Sequence, residues 1–515
     1  MQILIERYND FWLDNGVENL YRILKGLPED VVKNELTATG LSFEILDRER
    51  FIPLLQEAIL HLLENVIFIE KKDEETGEIR NIKKDFILAQ YGSKENGRNV
   101  LKEKIFYPPR MRERLNEIFA EQKKKEKACI LCGQTFGRNV DNLKQLVYPP
   151  VTKIASLTGV RRQQQNYEDI CPICYLIGAL EWTDRGMVYR TFNDGFSIVL
   201  FPLTTSFIDL NRMKERYIKT LLNNSDRYCN IKIMPDNPEV EKTSGEFSTL
   251  LCFYEKFIFY AGIELDLESF LTREICTEWC GLRVPLGKVW NIRVNRISLK
   301  SEILRVLFSL AKDEVRLYQN CLKKTVFKKR SKQGMATDWD ITGEVVEELS
   351  RAFLENDFRN FARQFLPQKQ GFLQIGKVAN EILESLIKEW RCSMALSKAA
   401  IVPEDLDTIK GAGNIVGKIS QNHVNILFKI DRARTPLEFT DALREAARRM
   451  FALEEKEYKQ HTFAPSKLEE LIALFKQKES NWEEIRNLLI VYSCIALSKE
   501  RMRSTDKKST MEVMA

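Results

Sequence analysis

Apolar positions follow three regimes along this chain. Residues 1 to about 65 carry helical spacing, broken at Asp10-Phe11-Trp12-Leu13-Asp14-Asn15-Gly16, where Asn-Gly predicts a turn and Asp14 or Asn15 then caps a helix over Val17 to Leu24. Val66 to Ile69 and Ile79 to Leu88 flank an acidic turn and read as a β-hairpin. Tyr107-Pro108-Pro109 and Tyr148-Pro149-Pro150 interrupt the pattern as extended breakers. From 181 to 300 the pattern turns β-rich, with strands expected over Met187 to Arg190, Phe196 to Leu200, Tyr228 to Met234, Leu250 to Tyr260 and Val289 to Ile297. In the last of these, Asn291, Arg293 and Asn295 fall on one face and Ile292 and Val294 on the other.

Beyond Leu299 the period returns to helical, with Val346, Leu349, Phe353, Phe361 and Phe365 on one stripe. Start signals recur at Thr435-Pro436-Leu437-Glu438, Ser466 to Glu469 and Ser480 to Glu483. The fold class expected is α+β multidomain. Its parts are a mixed N-terminal domain (1–125), a metal-stapled region (126–180), a β-rich middle (181–300), a C-terminal helical bundle (301–505) and a disordered tail (506–515).

Composition changes this picture little: 515 residues, 44% hydrophobic and 30% charged, exclude a fibrous or low-complexity chain. Early charge argues against a signal peptide, and the apolar stretch near Ala58 to Ile69 is too short to span a bilayer. Together with eleven cysteines, this sets the expectation of a reducing cytoplasm. Net charge is only +5, yet Leu101 to Ile170 holds 14 lysines and arginines against 8 acids. Lys323, Lys324, Lys328, Lys329, Arg330 and Lys332 form a second basic block. Such local excess suits nucleic acid, although a solvated face has the same appearance.

The chemistry with the sharpest spacing is Cys129-Ile130-Leu131-Cys132 and Cys171-Pro172-Ile173-Cys174, with 38 residues between the pairs. Two Cys-x-x-Cys turns supply four soft thiolates, the set for one tetrahedral structural Zn2+. Gly133 suits the positive φ such a turn needs, and Pro172 suits a tight turn. Between the pairs, Arg161, Arg162, Gln163, Gln164, Gln165, Asn166 and Tyr167 offer phosphate, base-edge and stacking contacts to a nucleic acid. Asn291, Arg293 and Asn295 form a second candidate of this kind.

No catalytic constellation emerges. His61, His423 and His461 lie far apart, without a partner motif. Gly411 to Ser420 fails as a phosphate loop, because Ala412 and Ile419 stand where Gly and Ser/Thr are required; it reads as a glycine-rich turn. Glu264, Asp266 and Glu268 alternate as carboxylates that could take a divalent ion. An enzyme acting on nucleic acid through that trio, and a purely structural zinc scaffold, are the alternatives to a binding protein.

The Asp10 to Gly16 signature, the paired cysteines, the β-rich middle and the helical C-terminal part together resemble the large subunit of a type I CRISPR surveillance complex (Cascade). The branch is the one named for its CXXC–CXXC region, usually of the I-B kind. The motifs lie in residues 1 to 180; beyond that, the likeness is architectural. The resemblance implies a non-enzymatic subunit that binds beside the CRISPR RNA handle and the backbone subunits. It would read the protospacer-adjacent motif in double-stranded DNA, support opening of the duplex and recruit the helicase-nuclease. It also implies a helical part related to a small subunit, for which Met335 is a possible internal start.

Overall fold

Leu41, Phe43 and Ile45 point inward while Ser42 and Glu44 do not, a period of two that makes Gly40–Ile45 a strand inside a stretch expected to be helical. The computed structural model describes residues 1–64, 68–72, 79–83, 92–95, 98–101, 105–121, 127–138, 140–150, 169–192, 196–222, 245–261, 266–271, 275–285, 293–331, 334–368, 371–393, 401–451 and 466–514. They form a mixed α+β fold of two units: Met1–Met234 with Tyr260–Ser298, and Pro235–Phe259 with Leu299–Ala515.

The first half of the chain runs β1 (Gln2–Glu6), α1 (Phe11–Lys25), β2 (Val32–Leu36), β3 (Gly40–Ile45), α2 (Arg48–Glu64), β4 (Phe68–Lys72), β5 (Ile79–Lys83), β6 (Gly92–Glu95), β7 (Arg98–Leu101), α3 (Pro108–Ile118), β8 (Lys127–Ala128), β9 (Thr135–Phe136), α4 (Pro172–Leu180), β10 (Val188–Phe192), β11 (Phe196–Pro202) and α5 (Phe207–Leu222). After α6 (Glu246–Ala261) and the short α7 (Leu267–Ser269), β12 (Glu278–Pro285) and β13 (Arg293–Ser298) complete the first unit. Its sheets are β1-β3-β2 and the antiparallel meander β10-β11-β12-β13, with β4-β5, β6-β7 and β8-β9 as two-stranded ladders.

Several stretches of this unit depart from the expected pattern. The first 65 residues are not all helical, because β1 to β3 form a sheet there. Asp10 to Gly16 is not a turn: Asp10 caps α1, accepting from the Trp12 and Leu13 amides, and Asn15 and Gly16 lie inside the helix. Gly16 has no positive φ; a Cβ on it would come 2.7 Å from the Ile177 carbonyl oxygen, so glycine serves helix approach rather than chain reversal. Pro108 occupies the first turn of α3 instead of breaking the chain. On β13, Ile297 rather than Val294 is buried. The expected hairpin (β4-β5) and the strands β10 and β11 form as read. Tyr228 to Met234 lies outside the described residues.

The second unit holds α6, α8 (Ser301–Lys312), β14 (Val326–Ser331), β15 (Gly334–Thr337), α9 (Trp339–Leu354), α10 (Phe358–Arg363), β16 (Gly371–Gln374), α11 (Lys377–Lys388), α12 (Pro403–Ile419), α13 (Asn425–Arg432), α14 (Pro436–Phe451), α15 (Ser466–Gln477) and α16 (Trp482–Met514). Leu250 to Tyr260, expected as a strand, is the body of α6. An apolar run broken only by Glu255 and Lys256 has too weak a period to separate a buried strand from a buried helix, and here length decides. Glu347 of α9 accepts from the Gly245, Phe247 and Ser248 amides, capping α6 from outside. Glu255 of α6 in turn accepts from the Tyr318 and Gln319 amides.

The C-terminal part is not purely a bundle, because β14 pairs with β15 and β16. Met335 lies in β15 opposite Arg330, so a product starting there would lack the β14 partner strand. Gly411 to Ile419 is the C-terminal half of α12, not a turn. Trp390 is ringed by Phe353, Phe358 and Phe361 at centroid distances of 5.0, 5.1 and 5.2 Å. The expected disordered tail continues α16 to Met514; residues 504–514 contain neither proline nor glycine to end it.

Candidate metal centre

The first knuckle closes the β8-β9 ladder. The Cys129 amide donates to the Gln134 carbonyl at 2.9 Å and the Gly133 amide to the Cys129 carbonyl at 2.8 Å. Gly133 has φ +71° with nothing within 4 Å of a hypothetical Cβ, so the dihedral alone demands glycine, as its place after Cys132 predicted. The second pair is not a turn. Cys171 caps α4, with Pro172 in the helix's first turn and the Cys174 amide donating to Cys171 Sγ at 3.4 Å. A helix N-terminus favours the negative charge of thiolates. Asp169 joins the two knuckles: its carbonyl accepts from Ile130 N at 3.0 Å and its carboxylate pairs with Lys127 at 3.0 Å.

The four Sγ atoms lie within 4.8 Å of one another, and Cys132 and Cys171 are 3.8 Å apart, too far for a disulfide. Cys129, Cys171 and Cys174 are buried. Hydrogen bonding from neighbouring sulfurs, Cys132 first, holds Cys129 below the ordinary thiol value. Sulfur contacts, Cys129 first, and then burial hold Cys174 well above it. Unaided, the cluster retains protons; a cation is what would let all four sulfurs ionise. The four could hold a metal ion, with a closed shell of soft donors.

The Asp10 to Gly16 segment frames this centre. Trp12 Nε1 donates to the Val147 and Gly178 carbonyls at 2.7 and 3.1 Å, and its ring meets Trp182 edge-on at 4.6 Å. Tyr148 Oη donates to Asp10 Oδ2 at 2.7 Å, so one carboxylate caps α1 and anchors the loop before the second pair. Asn19 Nδ2 donates to the Leu180 carbonyl at 2.7 Å. Tyr8 Oη lies 3.2 Å from Cys174 Sγ, within reach to donate to a thiolate; sequence reasoning missed it, and no spacing signals it.

Asp14, 2.8 Å from the Tyr8 amide, is pushed up to about 6 by burial, against the pull of Arg7. A folded-state value above the unfolded one means the native state binds the extra proton. This group's contribution to stability is therefore full below about pH 4 and lost as pH rises through about 6. Asp14→Asn is expected to gain on the parent by on the order of 2 kcal/mol between pH 4 and 7. Urea unfolding at both pH values reads this out; a gap that does not change with pH would contradict it.

The candidate nucleic-acid residues divide. Arg161 to Tyr167, Asn291 and Lys332 lie outside the described residues. Arg293 and Asn295 share one exposed face of β13, and Arg293 lies directly opposite the exposed Arg283 of β12. In the second unit, Lys324, Lys329 and Arg330 are exposed, while Lys328 is partly covered and donates to Thr337 Oγ1 at 2.7 Å. Lys329, Arg330 and Trp339 border a surface cavity of about 530 Å³. Lys323 is a correction: it is 4% exposed and donates to Gln319 Oε1, its stem packed inside the unit rather than offered to a ligand.

Of the acidic trio, Glu264 lies outside the described residues, and Asp266 caps α7 by accepting from the Ser269 amide at 2.8 Å. Cys252, Cys276, Cys280, Cys321 and Cys494 are buried. Among the described residues no helix is long and apolar enough to cross a membrane. No protein-family profile matches the chain, and no curated protein matches it.

Proposed function

We propose that this chain is a zinc-stapled nucleic-acid-binding subunit of an RNA-guided DNA surveillance complex, the cytoplasmic large subunit its motifs resemble. The carrying observation is the placement of Arg283 directly opposite Arg293 on exposed strand positions, which sets two cations side by side at a spacing suited to neighbouring phosphates. Asn295, two residues along the strand from Arg293, adds a group able to read base edges. The basic β14–β15 hairpin offers phosphate contacts of its own.

Zinc is the metal that fits the donor set. A tetrahedron of zinc–sulfur bonds of about 2.3 Å places sulfurs roughly 3.8 Å apart, and Cys132 and Cys171 lie at 3.8 Å. Four cysteines leave no position for a reactive water, so the ion would staple the fold rather than catalyse. Base pairing with a guide would carry most of the sequence specificity. The partners would be CRISPR RNA, target duplex, backbone and handle-binding subunits, the helicase-nuclease and a small subunit.

Purification of the tagged chain from its host should bring down one RNA class with a constant 5′ handle, plus backbone subunits; heterogeneous RNA, or a different set of partners, would overturn the reading. In duplex binding by the assembled complex, Arg283→Ala with Arg293→Ala should weaken affinity about tenfold and flatten the salt dependence by about two phosphate contacts. An unchanged salt slope would remove this hairpin from the interface.

A further inference from the structure

A cavity of about 560 Å³ opens in the first unit among α1, α2, α5 and Arg185. That volume suits a small organic ligand. Its lining combines the apolar Ile23, Leu62 and Ile218 with the cations Arg22, Arg185 and Lys219. The balance of charge around this lining identifies what it would accept.

Arg22 is held from behind by two buried carboxylates. Its Nε and Nη2 donate to Glu18 at 2.7 and 3.1 Å, and Nη2 also donates to Asp184. Lys214, 1% exposed, pairs with the same two carboxylates. These four charges cancel, yet Arg22, which lines the cavity, makes no hydrogen bond through Nη1 among the described residues. Lys25 and Glu215 cancel in the same way at 2.9 Å. Burial raises Glu181 well above the ordinary carboxyl value, so it stays neutral and adds no negative charge.

Arg185 and Lys219 remain. Among the described residues neither makes a hydrogen bond or ion pair, and the Arg185 Nε is sealed from solvent without a partner. A half-buried guanidinium left unpaired is costly, and such groups normally have partners. The lining therefore carries two uncancelled positive charges, together with the locked Arg22 guanidinium and apolar side chains.

We propose that this cavity binds a phosphate monoester, its dianion on Arg185, Lys219 and Arg22 Nη1 and its ester group on Ile23, Leu62 and Ile218. This is a site separate from the metal centre and does not rest on the surveillance-complex reading. A phosphate monoester could be a small metabolite or the 5′-phosphate of a nucleic-acid strand.

Calorimetry on the full chain with phenyl phosphate, inorganic phosphate and phenol tests it. Phenyl phosphate should bind at least about tenfold more tightly than either of the others, because each of those lacks one half of the recognition. Lys219→Ala and Arg185→Ala should each weaken it about tenfold, the scale of a lost charged hydrogen bond. Lys219 is exposed, so its variant retains the fold even if Arg185→Ala does not. Phenyl phosphate that fails to bind, that binds no better than phenol, or that is indifferent to Lys219→Ala would overturn the proposal. Competition by a 5′-phosphorylated oligonucleotide, but not its 5′-hydroxyl counterpart, would support it with a strand end as ligand. Competition by neither, with phenyl phosphate still bound, would support it with a small molecule.

Discussion

Cys171→Ser is expected to abolish the zinc binding proposed for the centre while leaving in place the helix that Cys171 caps. Serine is a better N-cap than cysteine, so its hydroxyl should accept from the Cys174 amide, which lies 3.4 Å from Sγ here. What it does not supply is a fourth thiolate. Structural zinc sites contribute folding energy directly, about 10–16 kcal/mol of apparent binding in isolated fingers at neutral pH. Here the four cysteines adjoin a core that includes Trp12, Tyr175, Leu176 and Trp182, so part of the unit should survive loss of the ion. A loss of several kcal/mol, roughly 10 °C in the unfolding temperature, is the expected scale. Metal analysis should fall from one zinc per chain to well below that, and a chelator should bring the parent's unfolding temperature down to that of the variant. Stoichiometric zinc in Cys171→Ser, or a parent indifferent to chelator, would sink the assignment.

The centre was legible because its chemistry is written in spacing. Four cysteines in two pairs, with a glycine after the first, specify both the ligands and the one dihedral the first knuckle needs. The frame was not legible in the same way. Asp10 to Gly16 carries strong local turn signals, and tertiary contact overrides them: Gly16 is required by the approach of Ile177, 161 residues away in sequence, and Trp12 by carbonyls at Val147 and Gly178. The helical α6 was hidden for a related reason. Its aromatic run has no polar face because it is buried, and its caps come from Glu347, about a hundred residues on. Lys323 shows the same limit for charge: a basic block in sequence says nothing of which member the fold turns inward.

The glycines of α12 give the other large expected effect. Gly417→Val is expected to destabilise the second unit by about 3 kcal/mol or somewhat more, and Gly411→Ala to leave it unchanged or slightly more stable. On propensity alone, any side chain should improve a helix interior, since glycine costs up to about 1 kcal/mol relative to alanine. The neighbours decide the sign. A Cβ on Gly417 would lie 2.4 Å from the Ser493 carbonyl oxygen and 2.6 Å from Ala496 Cβ, and one on Gly413 2.6 Å from Tyr492 Cβ, all on α16. Backbone and short side chains there cannot swing aside, and α16 is buried through Leu488, Leu489, Ile490 and Val491. The two helices must separate, an overpacking cost of about 1–3 kcal/mol for the first methylene and more for valine. At Gly411 the nearest atom is Lys467 Cδ at 3.0 Å, the middle of a flexible chain that can move. Thermal unfolding should therefore drop by roughly 6–12 °C for Gly417→Val, at about 2–4 °C per kcal/mol for a unit of this size, and hold steady for Gly411→Ala. A turn role for this segment predicts no such ranking by fold stability, since it would not distinguish the two positions by their contact with α16; equal losses at Gly417 and Gly411 would overturn the packing account.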